Sequence, residues 1–223
     1  MSNNNNKITV IDYGMGNLFN VVRAFEAIEC DVYVTSNINE IIKAERLLLP
    51  GVGAFKDGMK DLRANNLNNA IKEFSQTDRP LMGICLGMQL FMTSSEENGI
   101  HKGLDIIKGK VIRFKDPNDL SNKYKIPQIG WNALSIPDYK NNGLGNTFWA
   151  DSILNGFNDN LYMYFLHSYY VMPNDEEIVL SNTSYGQDYF CSVFQKDQII
   201  GCQFHPERSG EQGLKILKNF LLL

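Results

Sequence analysis

The sequence has few cysteines, no cluster of positive charge and no long apolar run. Its four cysteines are widely separated and form neither a CxxC metal motif nor the dense pattern of a disulfide-stabilised domain. With 21 Lys and Arg against 25 Asp and Glu, and no basic run, we expect no nucleic-acid partner and no binding to anionic lipid. The longest apolar stretches, at residues 81–92 and 161–172, contain polar residues and fall short of the roughly 18 to 20 residues that span a bilayer. We therefore expect no membrane segment.

The composition is that of one ordinary globular domain. Of the 223 residues, 43% are hydrophobic and 21% are charged, and a chain of this length can bury a full core. We expect a single domain over residues 7–223, preceded by a disordered tail at residues 1–6, which contains four consecutive asparagines. The N-terminal residues show no basic region followed by an apolar stretch, so we expect no secretory signal and a cytoplasmic location.

Hydrophobic periodicity predicts an α/β fold in the N-terminal half. Apolar strands alternate with helices whose apolar residues recur at three and four positions. The predicted strands are residues 8–11, 31–35, 46–49 and 79–84, and the predicted helices are residues 18–28, 38–44, 55–74 (as one helix or two) and 88–92. This alternation is typical of a doubly wound, mostly parallel sheet with helices on both faces.

The C-terminal half has a different pattern, with strands and few helices between them. The predicted strands are residues 111–114, 161–166, 177–180, 190–194 and 199–204. Such a series predicts an extension of antiparallel strands added to the parallel core. Residues 137–160 are rich in Asn, Gly, Asp and Pro, which predicts a long surface excursion, and the apolar spacing from Leu214 to Leu221 predicts a closing helix.

The segment Gly83-Ile84-Cys85-Leu86-Gly87 places a nucleophile between two glycines, where a predicted strand turns into a helix. This is the pattern of a nucleophile elbow, a tight turn in which only glycine lets the neighbouring backbone pass. A helix N-terminus favours the thiolate of Cys85, and the amide of Leu86 points toward an oxyanion that forms beside the sulfur. The alternative is that Cys85 is a small buried apolar residue at a strand end.

A thiol nucleophile needs a base, and the sequence has only three histidines. His101 lies among turn residues and charges, which is typical of a solvated loop. His167 ends a predicted strand, where a hydrogen-bonded structural role is the simpler interpretation and a role as a base is the other. His205 and Glu207 are two residues apart in extended chain and project from one face, so the carboxylate can orient the ring. Cys85, His205 and Glu207 form the predicted triad, and a surface His-Pro-Glu turn is the alternative.

Two further loops contain glycine. The sequence P-G-V-G at residues 50–53 follows the third strand, and parallel strand ends open on one crevice, so we expect it near Cys85. Its backbone amides could complete an oxyanion hole, and a plain turn before a helix is the alternative.

The loop after the first strand lacks the third glycine of a dinucleotide motif, so we expect no nucleotide site. Its Tyr13 and Asn17, expected to be exposed, and the loop residue Trp131 could form a partner surface.

The elbow, the P-G-V-G loop and the F-H-P-E-R-S-G segment at residues 204–210 resemble the triad-type class I glutamine amidotransferases. The segments D-Y-G-M-G-N-L at residues 12–18, G-W-N at 130–132 and Y-F-L-H-S-Y-Y at 164–170 resemble the glutaminase subunits of imidazole glycerol phosphate synthase, from residue 7 to the C-terminus. The resemblance implies a flavodoxin-like fold and hydrolysis of glutamine to glutamate and ammonia through a thioester on Cys85. It implies no cofactor and no metal.

The resemblance also implies a partner. In this family the subunit forms a heterodimer with a (β/α)8 cyclase subunit, which receives the ammonia and makes imidazole glycerol phosphate and aminoimidazole carboxamide ribotide during histidine biosynthesis. By the same resemblance, Gln89, Ser168 and Tyr169 hold glutamine, Gly51, Val52 and Leu86 surround the oxyanion, and Tyr13, Asn17, Trp131, Tyr164 and Arg208 face the cyclase.

Two features depart from the family pattern and concern the partner. The family has histidine two residues before the G-W-N motif, where this sequence has Gln128, and residues 137–160 are a longer stretch than usual. The alternative is a paralogous glutaminase that supplies ammonia for the modification of bacterial surface sugars. Two other classes are a cysteine hydrolase or peptidase of similar fold, which has no need of Gln89, and an inactive interaction subunit, which would have lost part of the triad.

Overall fold

Apolar strands and amphipathic helices alternate along the chain in the computed structural model, which describes residues 6–116, 124–140 and 145–223. The strands are β1 (Lys7–Ile11), β2 (Asp31–Thr35), β3 (Leu47–Leu49), β4 (Leu81–Ile84), β5 (Met92–Ser95), β6 (His101–Lys102), β7 (Ile107–Arg113), β8 (Gln128–Leu134), β9 (Leu161–His167), β10 (Tyr169–Pro173), β11 (Val179–Tyr185), β12 (Asp188–Lys196) and β13 (Ile199–Cys202). The helices are α1 (Leu18–Glu26), α2 (Ile38–Lys43), α3 (Phe55–Ala64), α4 (Leu67–Phe74), α5 (Leu86–Leu90) and α6 (Gly210–Leu221).

A seven-stranded sheet in the order β11-β12-β13-β4-β3-β1-β2 forms the centre of the described structure. The five strands from β13 to β2 are parallel, and β12 and β11 extend the sheet in antiparallel fashion. Successive residues of a strand face opposite sides, so Leu48 packs in one apolar cluster and Leu47 and Leu49 in another. Burial on both faces explains the continuous apolar runs of these strands. The predicted fold class, with its antiparallel extension, is confirmed.

Two smaller sheets, whose strands the sequence predicts only in part, accompany the central one. The strands β10, β7, β5 and β6 form one, and β8 and β9 form a two-stranded antiparallel ribbon. Only β9 of this ribbon was predicted. In β8 the residues Ile129 and Trp131 are exposed, so the outward face is apolar and the usual alternation gives no strand signal. The helix predicted at residues 88–92 instead covers Leu86–Leu90, and Met92 begins β5, whose polar sequence resembles a loop.

The prediction of a surface excursion at residues 137–160 is wrong for its C-terminal part. Trp149 is fully buried and its Nε1 atom donates a hydrogen bond to the carbonyl of Leu180 at 2.8 Å. Ile153 and Leu154 are also fully buried, in the apolar cluster that contains Leu48. Burial of these apolar side chains anchors the segment in the core, although the polar residues between them have the composition of a surface loop. Residues 141–144 of the excursion lie outside the described residues.

The predicted N-terminal tail at residues 1–6 lies outside the described residues except for Asn6. The side chain of Asn6 donates to the carbonyl of Glu29 at 2.8 Å, and its own carbonyl accepts from the amide of Asp31 at 2.8 Å. Asn6 therefore extends the pairing of β1 with β2 and does not belong to a tail. In the part of the chain that is described, no helix combines the length and apolar character needed to cross a bilayer.

The closing helix α6 provides a test of the core. Phe220 is fully buried in it, whereas Leu222 directly after it is 77% exposed. We expect Phe220→Ala to lower the free energy of unfolding by about 3–5 kcal/mol, because it removes a buried ring and leaves a cavity. Leu222→Ala is the matched control and should change it by less than about 0.5 kcal/mol. Urea unfolding measures both, and equal effects of the two substitutions would contradict the packing of α6.

Candidate active site

The turn between β4 and α5 holds Cys85 at φ +52° and ψ −106°, a backbone conformation that residues other than glycine rarely adopt. Its flanking glycines leave no room for side chains. A Cβ atom at Gly83 would lie 2.6 Å from Cε2 of Phe91, and one at Gly87 would collide with the carbonyl oxygen of Leu49. The close packing of strand, turn and helix therefore requires glycine at both positions, and the turn has the geometry of a nucleophile elbow.

His205 and Glu207 follow β13, the strand paired in parallel with β4. The Nδ1 atom of His205 lies 2.8 Å from Oε1 of Glu207, and both side chains are only 3% exposed. Burial lowers the pKa of His205, but the neighbouring Cys85 and Glu207 raise it by more, so the net pKa is above its ordinary value. With Nδ1 bound to the carboxylate, Nε2 is the ring atom left for proton exchange, and it has no hydrogen-bond partner within the described residues.

Cys85 and His205 line one cavity of about 240 Å³. This volume lies below the range of drug-sized pockets and suits a small metabolite. Of the other residues predicted for the site, the cavity wall includes Val52, Leu86, Gln89, Ser168 and Tyr169. The structure thus gathers residues from the ends of several strands at one edge of the sheet, as the strand order predicts.

The amide of Leu86 is engaged in this conformation. It donates to the carbonyl oxygen of Gly51 at 3.3 Å and so is not free for an oxyanion. A Cβ atom at Gly51 would collide with the hydroxyl of Tyr13 and lie 2.9 Å from Cβ of Leu86, so this approach also requires glycine. Rotation of the peptide between Gly51 and Val52 would release the Leu86 amide and turn a second N–H toward the cavity.

Two polar residues of the site were not predicted from the sequence. Glu97 lines the cavity, and Gln203 is fully buried between Cys85 and Gln89. Glu97 belongs to no motif, so only the fold could reveal it. Gln203 lies two residues before His205 in extended chain, and this spacing could have placed it on the same face.

His167 has a structural role in the described structure. Its ring is buried, its Nδ1 atom donates to the carbonyl of Tyr169 at 2.8 Å, and its centroid lies 5.0 Å from that of Phe114. Burial lowers the pKa of His167 to about 3. The ring is therefore neutral at neutral pH, and the simpler of the two interpretations from the sequence agrees with its hydrogen bond and its burial.

The residues predicted to face a partner fall into two groups. Trp131 is 55% exposed, the rings of Trp131 and Tyr164 are 6.1 Å apart, and the guanidinium of exposed Arg208 lies 4.5 Å from the Tyr164 ring centroid. These three residues form one surface cluster, and Asn17 is exposed as the N-cap of α1. The prediction that Tyr13 is exposed is wrong: it is 3% exposed, because its ring packs in the core beneath the P-G-V-G loop.

With this geometry in place, comparison with known families identifies the class. The family model "Glutamine amidotransferase class-I" matches residues 9–223. The chain therefore belongs to the class-I glutamine amidotransferase family. It is similar to imidazole glycerol phosphate synthase subunit HisH 1 of Legionella pneumophila (strain Paris), at 41% identity over 96% of this chain and 98% of the relative. It is 42% identical to subunit HisH of Chlorobaculum tepidum, with the same coverage. The resemblance found in the sequence motifs is confirmed.

Solved structures share the fold at low sequence identity. A structure of PurLQS from Thermotoga maritima matches with a TM-score of 0.69 at 17% identity, and covers 97% of each chain. A crystal structure of another glutamine amidotransferase matches with a TM-score of 0.68 at 14% identity, over 96% of this chain and 97% of the other. These matches support the fold alone.

The buried neutral His167 makes stability depend on pH. Its folded pKa of about 3 is below the ordinary value of 6.5, so the unfolded chain binds the extra proton and the contribution of His167 to stability falls as pH drops below about 6.5. Between pH 7 and pH 5 we expect the free energy of unfolding to fall by about 2 kcal/mol more in the wild type than in His167→Phe.

Urea unfolding at the two pH values provides the measurement. His101→Phe, on the half-buried surface strand β6, is the control and should keep the wild-type dependence. If His167→Phe has the same pH dependence as the wild type, His167 does not titrate as its burial requires.

Proposed function

We propose that this chain is the glutaminase subunit of an imidazole glycerol phosphate synthase and that it hydrolyses glutamine at Cys85. The observation that carries the proposal is the single cavity lined by both Cys85 and His205, with Glu207 bound to the opposite side of the imidazole ring. Membership of the amidotransferase family and the HisH relatives support the choice of glutamine as substrate.

The catalytic steps follow from this arrangement. Nε2 of His205 takes the proton of the Cys85 thiol, and the sulfur attacks the side-chain amide carbon of glutamine. His205 then gives the proton to the leaving nitrogen, so ammonia departs and a glutamyl thioester remains. Water, deprotonated by His205, attacks the thioester carbon and releases glutamate and the thiol. Glu207 keeps Nδ1 protonated and stabilises the imidazolium, in agreement with the raised pKa of His205.

Acceptor groups at the cavity suit the α-ammonium group of glutamine. Glu97 supplies a carboxylate whose Oε2 atom is fixed by the amide of Phe55 at 2.6 Å, at the start of α3. Gln89 lies on the same cavity wall. Ser168 and Tyr169, between the end of β9 and the start of β10, complete the proposed substrate site.

The oxyanion hole forms by movement of one loop. In our proposal the Leu86 amide and the Val52 amide bind the oxyanion after the peptide between Gly51 and Val52 has rotated. The observed hydrogen bond from Leu86 to Gly51 then marks a resting state. A gate of this kind prevents release of ammonia when no acceptor is present.

The partner is a (β/α)8 cyclase subunit that binds the cluster of Trp131, Tyr164 and Arg208, and we assign the exposed Asn17 to the same interface. Aromatic residues and arginine dominate binding hot spots, and a surface cluster of this composition fits such a role. Tyr13 is buried, so it acts on the P-G-V-G loop and does not touch the partner.

The alternative of a paralogous glutaminase for surface-sugar modification is not favoured. The HisH relatives match over almost their full length, and the substituted Gln128 is only 2% exposed, so it leaves the outer surface unaltered. The four cysteines are free thiols, which fits a reducing compartment and hence the cytoplasm.

The division of labour between the subunits can be tested by substitution of the nucleophile. In the complex with the cyclase, Cys85→Ala should abolish synthesis from glutamine and leave synthesis from ammonium salts intact, because the acceptor chemistry belongs to the cyclase. Cys191→Ala, at a buried free thiol outside the cavity, is the control and should retain both activities. Loss of both activities in Cys85→Ala would refute the assignment.

The gate makes a second prediction. The isolated chain should hydrolyse glutamine at least about a hundredfold more slowly than the complex, because its Leu86 amide is occupied, and loss of one oxyanion donor typically costs about 10²–10³ in kcat.

The partner surface can be tested separately. Trp131→Ala should raise the cyclase concentration needed for half-maximal activation by about tenfold or more. Glutamate release assays measure both quantities, and rapid turnover by the isolated chain would contradict the gate.

A further inference from the structure

We propose that Gln203 is a positioning residue of the glutaminase site. Its buried side-chain amide joins the nucleophile Cys85 to the substrate-binding Gln89 through hydrogen bonds of one fixed direction. The proposal rests on the proposed function, because it assigns a role at the same site.

The amide of Gln203 bridges two residues of the cavity wall. Its Nε2 atom donates to Sγ of Cys85 at 3.7 Å, and its Oε1 atom accepts from Nε2 of Gln89 at 3.1 Å. Nε2 of Gln89 also donates to the carbonyl of Tyr169 at 2.8 Å. The backbone of Gln203 is fixed as well, because its amide donates to the carbonyl of Ser192 at 2.9 Å.

The backbone carbonyl of Tyr169 determines which group donates and which accepts in each of these hydrogen bonds. The oxygen of Tyr169 can only accept, so Gln89 must present its nitrogen there. The same nitrogen faces Gln203, which must therefore present its oxygen to Gln89. The remaining nitrogen of Gln203 then faces Cys85. The assignment of nitrogen and oxygen, which is otherwise ambiguous for a glutamine, is thus fixed by connectivity.

This direction has a consequence at each end. At Cys85 the sulfur receives an N–H donor, which stabilises the negative charge that the attacking sulfur carries. At Gln89 both N–H groups are used, and its Oε1 atom makes no hydrogen bond to the described residues. That oxygen suits the α-ammonium of glutamine. With one side chain, Gln203 therefore activates the nucleophile and ensures that Gln89 presents its Oε1 atom to the substrate.

Other groups that can carry charge also face the nucleophile or its cavity, and each remains in place when Gln203 is replaced. They are Tyr13 after β1, Glu97 after β5, His167 in β9, Cys202 in β13, and His205 and Glu207 after β13. A difference between a Gln203 variant and the wild type therefore isolates the amide.

Two substitutions separate the two roles. Gln203→Met keeps the length of the side chain and removes both donor and acceptor. Gln203→Glu keeps an oxygen toward Gln89 and places a second oxygen beside the sulfur. For each variant, in complex with the cyclase, we would measure kcat and KM for glutamine. The rate of Cys85 alkylation by iodoacetamide, followed by peptide mass spectrometry from pH 5 to 10, reports the nucleophile independently of turnover.

For Gln203→Met we expect the pH midpoint of alkylation to rise by about one unit, which equals about 1.4 kcal/mol. Its kcat should fall about tenfold, and its KM should rise as Gln89 loses its partner. For Gln203→Glu the KM should stay within about twofold of the wild type, while kcat falls and the midpoint rises at least as far as in Gln203→Met, because a carboxylate repels the thiolate.

Gln195→Met, on β12 and outside the cavity, is the matched control and should change none of these quantities. A wild-type midpoint and wild-type KM in Gln203→Met would overturn the proposal. If that variant does not fold, a wild-type midpoint in Gln203→Glu overturns it. If the wild-type complex releases no glutamate from glutamine, the proposed function fails instead, and the alkylation profile still decides the role of Gln203.

Discussion

The strained backbone at Cys85 is the constraint on which the site depends. A positive φ at a residue other than glycine costs of the order of 1–3 kcal/mol and persists only when the surroundings impose it. Here the flanking Gly83 and Gly87 pack against neighbouring backbone, and the amide of Cys85 donates to the carbonyl of Cys202 at 2.8 Å. The pairing of β4 with β13 that makes this bond also brings His205 close to the sulfur, so one sheet contact positions the proposed nucleophile and the proposed base together.

Around this turn the site combines fixed and adjustable parts. The pair of His205 and Glu207 is buried, and the amide of Gln203 is held at both ends, so these groups are already in place. The peptide between Gly51 and Val52 is the part that we propose to be adjustable, because its carbonyl accepts from the Leu86 amide that an oxyanion would need. In the proposed mechanism, control of activity acts on this glycine loop and leaves the pair of His205 and Glu207 unchanged, so that ammonia is released only beside its acceptor.

The sequence alone supports much of this description, wherever the chemistry is local. The spacing of Gly83, Cys85 and Gly87 predicts the elbow, and the two-residue spacing of His205 and Glu207 predicts their contact. The choice of His205 among three histidines and the shared edge of parallel strands also predicted two long-range features, the triad and the position of the P-G-V-G loop. The strand pairing that produces them could not be predicted, because no local pattern shows that β13 inserts beside β4. The burial of Tyr13 and Trp149 was missed for the same reason, since composition places both in loops whereas tertiary packing decides their environment.

Covalent labelling of the nucleophile tests the central claim most directly. The complex would be treated with a glutamine analogue that carries a diazoketone in place of the carboxamide, and then digested and analysed by mass spectrometry. A Cys-His-Glu triad predicts an adduct on the peptide that contains Cys85, formed far more slowly in His205→Ala. An adduct on another of the cysteines, or the absence of any adduct in the wild-type complex, would contradict it.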